Sequence, residues 1–143
     1  MSDILRMERL EGLYAEALKA AENSYAPYSN FRVGAAVLLT DGRVVTGTNV
    51  ENVSYGLTVC AERSAIARAV IENGPKIRVA AVAVANLNGA TCPPCGMCRQ
   101  VLKEFMDADG DVLFPFEGVM KRARLDEILP FAFDADLKKT VTK

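Results

Sequence analysis

Three of the four cysteines of the chain lie within residues 92–98, and two of them, Cys95 and Cys98, form a C-x-x-C pair directly ahead of a helical pattern. The fourth, Cys60, stands at the predicted start of an earlier helix, two residues before Glu62. Three thiolates bind Zn²⁺ well and leave its fourth tetrahedral position open for water, which is typical of a catalytic zinc site. The pattern therefore predicts such a site, with Cys60, Cys95 and Cys98 as its ligands.

The chain contains no histidine. This excludes Ser-His and Cys-His catalysis, histidine-ligated metals and histidine general bases. Acid–base chemistry near neutral pH then needs a carboxylate with a raised pKa. Glu62 heads an apolar helix face that continues through Ala65, Ile66 and Ala69, so we expect it to point inward and to shuttle protons. Arg63, together with the positive ends of the helices, would offset the net negative charge of a zinc ion with three thiolates.

Other interpretations of these residues stay open at this point. The C-x-x-C pair is also typical of redox-active thiols, but that leaves Cys60 and Glu62 without a role. A closed structural zinc site would need Cys92 as fourth ligand, whereas we expect Cys92 to be a buried or half-buried thiol. Glu62 as a solvent-exposed helix residue conflicts with its apolar face. Because helix positions two apart point away from each other, Cys60 and Glu62 share a site only if Cys60 begins or precedes the helix.

Apolar spacing predicts the elements that must position these residues. A stripe of period 3.6 over residues 10–21 predicts a first helix. Apolar segments 31–39 and 43–50 flank an Asp-Gly turn and predict a β-hairpin, in which Gly34 and Gly47 indicate a bulge or a close backbone approach.

The second half of the chain alternates helical and strand patterns. Two helices are predicted at 59–71 and 97–106. Residues 78–85 are almost continuously apolar, as expected for a central strand covered on both faces. Further predicted elements are strands at 111–116 and 119–123, a helical turn at 125–129 and a charged tail after 133. This alternation predicts an α/β fold with a mixed sheet.

Composition limits the class of protein. With 143 residues, 50% of them apolar, we expect one domain spanning residues 1–143. A net charge of −1 without a basic cluster argues against binding to nucleic acid. We also expect no membrane association and a cytoplasmic location, because the chain has neither a bilayer-spanning apolar run nor the pattern of a signal peptide. Thiols stay reduced in that compartment, which favours metal ligands over disulfides.

Two motifs, Cys60-Ala61-Glu62 and Pro94-Cys95-x-x-Cys98, resemble the signature of the zinc-dependent nucleoside and nucleobase deaminases. Within that superfamily the chain resembles the small homotetrameric cytidine deaminases over nearly its whole length. The segments that carry the resemblance are residues 25–29, 31–36, 49–52, 60–63, 94–100 and 129–133.

The resemblance implies a three-layer α/β/α fold, with a mixed five-stranded sheet and helices on both faces. It implies hydrolytic deamination of cytidine and deoxycytidine to uridine and deoxyuridine with release of ammonia, as in pyrimidine salvage, and one Zn²⁺ per chain. Water activated by zinc would add to C4 of cytosine. Glu62 would take the water proton and pass protons to N3 and to the leaving amine, while Arg63 would contact the ligand thiolates.

The resemblance also assigns substrate-binding residues, namely Asn49, Glu51, Phe31, Ala61, Tyr55 and Phe133. Asn49 and Glu51 would hydrogen-bond the ribose hydroxyls, and Phe31 would pack near the base. Tyr55 and Phe133 would reach the pocket of a neighbouring subunit. The implied assembly is a homotetramer whose active sites are completed by neighbouring subunits.

Three competing functions share some of these features. A deaminase of another small cytosine-containing substrate, such as blasticidin S, has the same zinc motifs, but Asn49 and Glu51 favour a ribose, because donors and acceptors left unpaired reject an analogue. A nucleic-acid editor would need a basic surface. A non-enzymatic zinc-binding module predicts a closed metal site and no need for Glu62.

Overall fold

The computed structural model describes residues 2–134. Four α-helices and five strands lie in this range: α1 (Asp3–Ala20), β1 (Val33–Leu39), β2 (Val44–Thr48), α2 (Ala61–Asn73), β3 (Val79–Asn86), α3 (Gly96–Phe105), β4 (Met106–Phe116), β5 (Val119–Arg124) and α4 (Leu125–Ile128). Helix α1 packs on one face of the sheet, and α2, α3 and α4 pack on the other. The predicted three-layer α/β/α fold with a mixed sheet is therefore confirmed.

The strand order of the sheet is β2-β1-β3-β4-β5. All neighbouring pairs are antiparallel except β3 and β4, which are parallel. A parallel pair needs a crossover, and α3 supplies it. The loop that carries Cys92 and Cys95 therefore starts at the carboxyl end of β3 and leads directly into α3.

Strand β3 is the predicted central strand, and both of its faces are buried. Val82 and Val84 belong to the core under α2 and α3. The alternate residues Ala81, Ala83 and Ala85 belong to the core under α1. Period-two alternation between two apolar faces explains why the sequence reads as a continuous apolar run.

Gly34 and Gly47 mark close approaches of helix backbone to the sheet. A Cβ on Gly34 would lie 2.0 Å from the Ala17 carbonyl oxygen of α1. A Cβ on Gly47 would lie 2.4 Å from the Ala65 backbone nitrogen of α2. The two glycines thus allow α1 on one face and α2 on the other to pack with their backbones directly against the hairpin. Gly47 fixes how closely α2 approaches the sheet.

Strand β4 begins at Met106, five residues before the predicted start at 111. Its first part is irregular, because Val79 pairs with Met106 whereas Ala81 pairs with Asp111. The residues between are mostly exposed and polar, so they carry no apolar alternation from which a strand could be predicted.

Two further predictions from the sequence concern a membrane-spanning segment and the charged tail. Among the described residues, none of the helices combines the length and the apolar character needed to cross a membrane. The predicted charged tail lies, from residue 135 onward, outside the described residues.

Candidate metal centre and active site

Three thiols meet where the N-termini of α2 and α3 come together. Cys60 immediately precedes α2, Cys95 immediately precedes α3, and Cys98 lies in the first turn of α3. Their sulfur atoms all lie within 4.8 Å of one another, and the Sγ atoms of Cys95 and Cys98 are 3.5 Å apart. Because Cys60 stands before the helix, the condition under which it shares a site with Glu62 is met.

The three thiols fit a zinc ion. Tetrahedral zinc with Zn–S bonds of about 2.3 Å holds its sulfur atoms about 3.8 Å apart, which is close to the 3.5 Å between Cys95 and Cys98 and below the 4.8 Å within which all three sulfur atoms lie. Cys60 and Cys95 occupy the N-cap positions of α2 and α3. Within the described residues, neither side chain forms a capping hydrogen bond to its own helix, so both sulfur atoms are available to bind a metal. The positive ends of α2 and α3 favour thiolates at this point.

The charges around Cys60 stabilise its thiolate. The pKa of Cys60 is lowered to about 5, first by a hydrogen bond from Cys98 and then by Arg63, whose Nη2 lies 3.7 Å from the Cys60 Sγ. The same hydrogen bond to Cys60, together with burial, raises the pKa of Cys98. Arg63 is held in place because Nη2 also donates to the Thr58 carbonyl at 3.0 Å.

Glu62 is buried in the first turn of α2, with only 4% of its surface exposed. Burial raises the pKa of its carboxyl group to about 7, and the negative Cys60 adds to the shift. The helix face that it heads packs into the core through Ala65, Ile66 and Ala69. A carboxyl group with this pKa can both accept and release a proton near neutral pH.

Cys92 lies outside this group of three thiols. It is half-buried and packs against the core under α2 and α3. Burial raises the pKa of its thiol to about 11, and its backbone N–H donates to the Pro115 carbonyl at 2.9 Å. The grouping leaves a three-thiol set with an open position rather than a closed four-thiol set.

A short backbone bridge brings the segment of Asn49 and Glu51 beside Cys60. Val50 exchanges two backbone hydrogen bonds of 2.9 Å with Val59, the residue before Cys60. On its other side Val50 forms a parallel bridge with Tyr25. The end of the hairpin is thus joined directly to the start of α2.

The side chain of Asn49 is buried and binds the neighbouring backbone. Its Oδ1 accepts the Val33 N–H at 3.0 Å and the Ser24 hydroxyl, and its Nδ2 donates to the Phe31 carbonyl at 2.7 Å. Oδ1 is thereby fully used, and one N–H of the amide stays unpaired among the described residues.

The carboxylate of Glu51 holds the turn at Tyr28 and Ser29. Its Oε1 accepts the Tyr28 N–H at 3.0 Å and the Ser29 N–H at 3.1 Å, and its Oε2 accepts the Ser29 hydroxyl. The Ser29 hydroxyl is the main cause of the lowered pKa of Glu51. The group is therefore an ionised acceptor at neutral pH.

Comparison with known proteins identifies the family. Residues 7–113 match the model described as the cytidine and deoxycytidylate deaminase zinc-binding region. A cytidine deaminase of Halalkalibacterium halodurans is 46% identical over 125 residues, which cover 87% of this chain and 93% of that protein. This chain belongs to the cytidine and deoxycytidylate deaminase family.

Solved structures of family members have the same fold. The cytidine deaminase of Mycobacterium tuberculosis superposes with a TM-score of 0.77 at 44% identity, over 88% of this chain and 98% of that chain. The cytidine deaminase of Burkholderia pseudomallei gives a TM-score of 0.78 at 42% identity, over 86% and 98% of the two chains. The three clustered cysteines and Glu62 all fall inside the region that matches the deaminase family model.

The remaining residues assigned by resemblance to the deaminase family fall into two groups. Phe31 is half-buried against the core, and Ala61, the first residue of α2, is fully buried. Tyr55 and Phe133 are 69% and 73% exposed. Tyr55 makes an edge-to-face contact with Tyr28, with ring centroids 5.8 Å apart. Within this one chain, the structure thus leaves Tyr55 and Phe133 on the surface.

Three residues that hold parts of the site in place were not singled out from the sequence. Ser24 and Ser29 donate hydrogen bonds to the side chains of Asn49 and Glu51, and Arg99 holds the loop before Cys95. Arg99 donates from Nε to the Pro94 carbonyl and from Nη1 to the Ile128 carbonyl, each at 2.7 Å, so it ties the loop before Cys95 to α4. The sequence holds only a weak signal for Arg99, its position beside Cys98. Hydrogen bonds between distant segments leave no periodic pattern in a sequence.

Proposed function

We propose that this chain is a zinc-dependent cytidine deaminase, which hydrolyses cytidine and deoxycytidine to uridine and deoxyuridine with release of ammonia. The observation that carries the proposal is the meeting of three thiols at two helix N-termini beside the buried Glu62. Relatives that are 45% and 46% identical are cytidine deaminases, which supports the same reaction here and a role in pyrimidine salvage.

Cys60, Cys95 and Cys98 hold the zinc ion, one per chain. When bound, zinc supplies a Lewis acid that lowers the pKa of a water molecule at the open position. Arg63 and the ends of α2 and α3 offset the negative charge of the three thiolates, which would otherwise weaken that acidity.

Glu62 carries the protons of the reaction. Its carboxylate takes a proton from the water that attacks C4 and passes that proton to N3 of cytosine. It then takes the remaining proton from the hydroxyl group on C4 and passes it to the departing amine. A pKa of about 7 suits both directions of transfer at neutral pH. Burial keeps the group out of contact with bulk water, so the proton stays within the site.

Asn49 and Glu51 bind the sugar, and Phe31 and Ala61 lie beside the base. Support comes from the ionised carboxylate of Glu51, an acceptor for hydroxyl groups, and from one amide N–H of Asn49, a donor that has no partner within residues 2–134. This pair favours a nucleoside over blasticidin S, which lacks a ribose.

The active form is a homotetramer in which Tyr55 and Phe133 complete the site of a neighbouring subunit. Support comes from the exposure of these aromatic side chains and of Val53 and Leu57 near Tyr55, because adjacent exposed apolar residues mark interaction surfaces.

Residues 1–143 act as one domain. The protein acts on free nucleosides in the cytoplasm, without nucleic-acid or membrane partners.

The test is an assay of ammonia release by the zinc-loaded protein. We expect turnover of cytidine and deoxycytidine, with one zinc per chain by elemental analysis. Absence of ammonia from both nucleosides would reject the proposal. Faster turnover of blasticidin S than of either nucleoside would support the alternative substrate, and zinc binding without any turnover would support a non-enzymatic module.

A further inference from the structure

The hydroxyl group of Ser29 connects two residues of the proposed nucleoside site. It donates to Glu51 Oε2, and it accepts the backbone N–H of Phe31 at 3.0 Å. The Ser29 N–H binds the other oxygen of the same carboxylate at 3.1 Å. Ser29 therefore contacts both oxygens of Glu51 and, through its hydroxyl, the peptide of the aromatic residue.

Asn49 closes this network from the other side of Phe31. The Phe31 carbonyl accepts a hydrogen bond of 2.7 Å from Asn49 Nδ2, while the Phe31 N–H reaches Glu51 through the Ser29 hydroxyl. Both backbone polar groups of Phe31 are thus connected to the two proposed sugar-binding residues, the carbonyl directly to Asn49 and the N–H through Ser29 to Glu51. Movement of the Glu51 carboxylate would be transmitted to Phe31, and the reverse also holds.

We propose that Ser29 is a positioning residue that joins Glu51 and Phe31 into one unit, so that the sugar and the base of the nucleoside are bound in a fixed relation. The proposal rests on the proposed function and adds a determinant of specificity to it. Two backbone N–H groups hold Oε1, whereas the Ser29 hydroxyl holds Oε2. Without the hydroxyl, the half-buried carboxylate can rotate about its bonds to Oε1, so the direction of Oε2 is less fixed. A binding group held in its productive geometry costs less to order when the substrate arrives.

Removal of the hydroxyl therefore weakens recognition of the sugar more than the chemical step. For Ser29→Ala we expect kcat/KM for cytidine to fall about tenfold, mainly through KM, since the lost bond is to a charged group. The preference for cytidine over 2′,3′-dideoxycytidine falls with it, because the dideoxy substrate lacks the hydroxyls that Glu51 binds. Ser29→Thr keeps a hydroxyl and retains most of the preference.

A mutant cycle tests the connection directly. In a Glu51→Ala background, Ser29→Ala should change kcat/KM for cytidine by much less than in the native background. The matched control is Ser2→Ala, which removes the hydroxyl that accepts the Leu5 N–H at 3.3 Å at the start of α1. This control should lower the melting temperature and leave the preference between the two nucleosides unchanged.

Two results would overturn the proposal. If Ser29→Ala lowers thermal stability while the preference between cytidine and the dideoxy substrate stays at the native value, Ser29 has a structural role only. If the effects of Ser29→Ala and Glu51→Ala are independent, the two residues do not act as a unit. Both results require an active native protein, whereas inactivity of the native zinc-loaded protein on cytidine would reject the proposed function and this inference together.

Discussion

At the scale of the single residue, Glu62 is a buried carboxyl group whose pKa is raised to about 7. Glu62→Gln keeps the size of the side chain and removes its ability to exchange a proton. We expect kcat for cytidine to fall about 10³-fold, with the zinc content unchanged, because Glu62 is not a proposed ligand. Steady-state kinetics and elemental analysis of the same preparation check both parts. A variant with near-native kcat would show that another group moves the protons.

Cys98 and Cys92 form a natural pair for comparison. Cys98→Ala removes a sulfur atom from the three-thiol group, so we expect loss of zinc on dialysis and a lower melting temperature, since metal binding and folding are coupled. Cys92→Ala serves as the control and should keep its zinc. Loss of zinc from Cys92→Ala would instead indicate a closed four-thiol site.

The pH dependence of Cys92 alkylation follows from its pKa of about 11. The thiolate is the reactive form, and below the pKa its fraction increases tenfold for each pH unit. In the zinc-loaded protein we expect slow modification of Cys92 by iodoacetamide at pH 8 and about a tenfold faster rate at pH 9. Mass spectrometry of the peptide follows the reaction. A rise of only about threefold between pH 8 and pH 9, as for a free thiol with a pKa of about 8.5, would contradict this expectation.

At the scale of the element, the close packing of α2 on β2 depends on Gly47. A Cβ there would lie 2.4 Å from the Ala65 backbone nitrogen, and a helix backbone cannot relieve the clash by changing rotamer as a side chain can. We expect Gly47→Ala to destabilise the fold by about 2 kcal/mol and to weaken zinc binding, because the start of α2 carries Cys60. Chemical unfolding and zinc titration against a competing chelator measure the two effects.

Gly12→Ala is the matched control for the same change of residue. Gly12 lies inside α1, and a Cβ there meets no atom within 4 Å. Replacement of a helical glycine in open space should stabilise the protein by about 0.5–1 kcal/mol. Equal effects of the two substitutions would mean that the approach of α2 to the hairpin does not limit stability.

At the scale of the whole molecule, the proposed tetramer depends on exposed apolar residues near Tyr55. Leu57 is 66% exposed in the chain, and Leu57→Arg would place a charge in the proposed subunit interface. We expect light scattering to give four times the chain mass for the native protein and a smaller assembly for the variant, with a parallel loss of activity. Ile4→Arg, at an exposed position on α1, should leave the assembly intact. A fully active native monomer would reject the tetramer.

The fold was largely predictable, because most elements carry a clear local signal. The apolar patterns predicted the hairpin, the central strand β3 and the helices α2 and α3 within a few residues of their bounds. They also predicted α1, but this helix begins at Asp3, seven residues before the predicted stripe starts at residue 10. The first part of β4 was not predictable, since its exposed polar residues have no apolar alternation and its pairing with β3 is irregular.

The sequence by itself determined which atoms are available for chemistry. Without histidine, the soft ligands that this chain offers to zinc are its thiolates, and the local start of each helix puts Cys60, Cys95 and Cys98 at helix N-termini. Metal preference follows from ligand type, and the direction of a side chain follows from its position on a helix. Both properties are local, so they can be derived from a sequence.

Only the tertiary structure decided how distant segments meet. Packing of α2 and α3 on the same face of the sheet brings Cys60 to the C-x-x-C pair. The bridge between Val50 and Val59 brings the end of the hairpin to the start of α2, and Ser29 reaches Glu51 across 22 positions of the chain. Such contacts depend on how the elements pack together, and a hydrogen bond between segments far apart in the chain has no periodicity by which a sequence could reveal it.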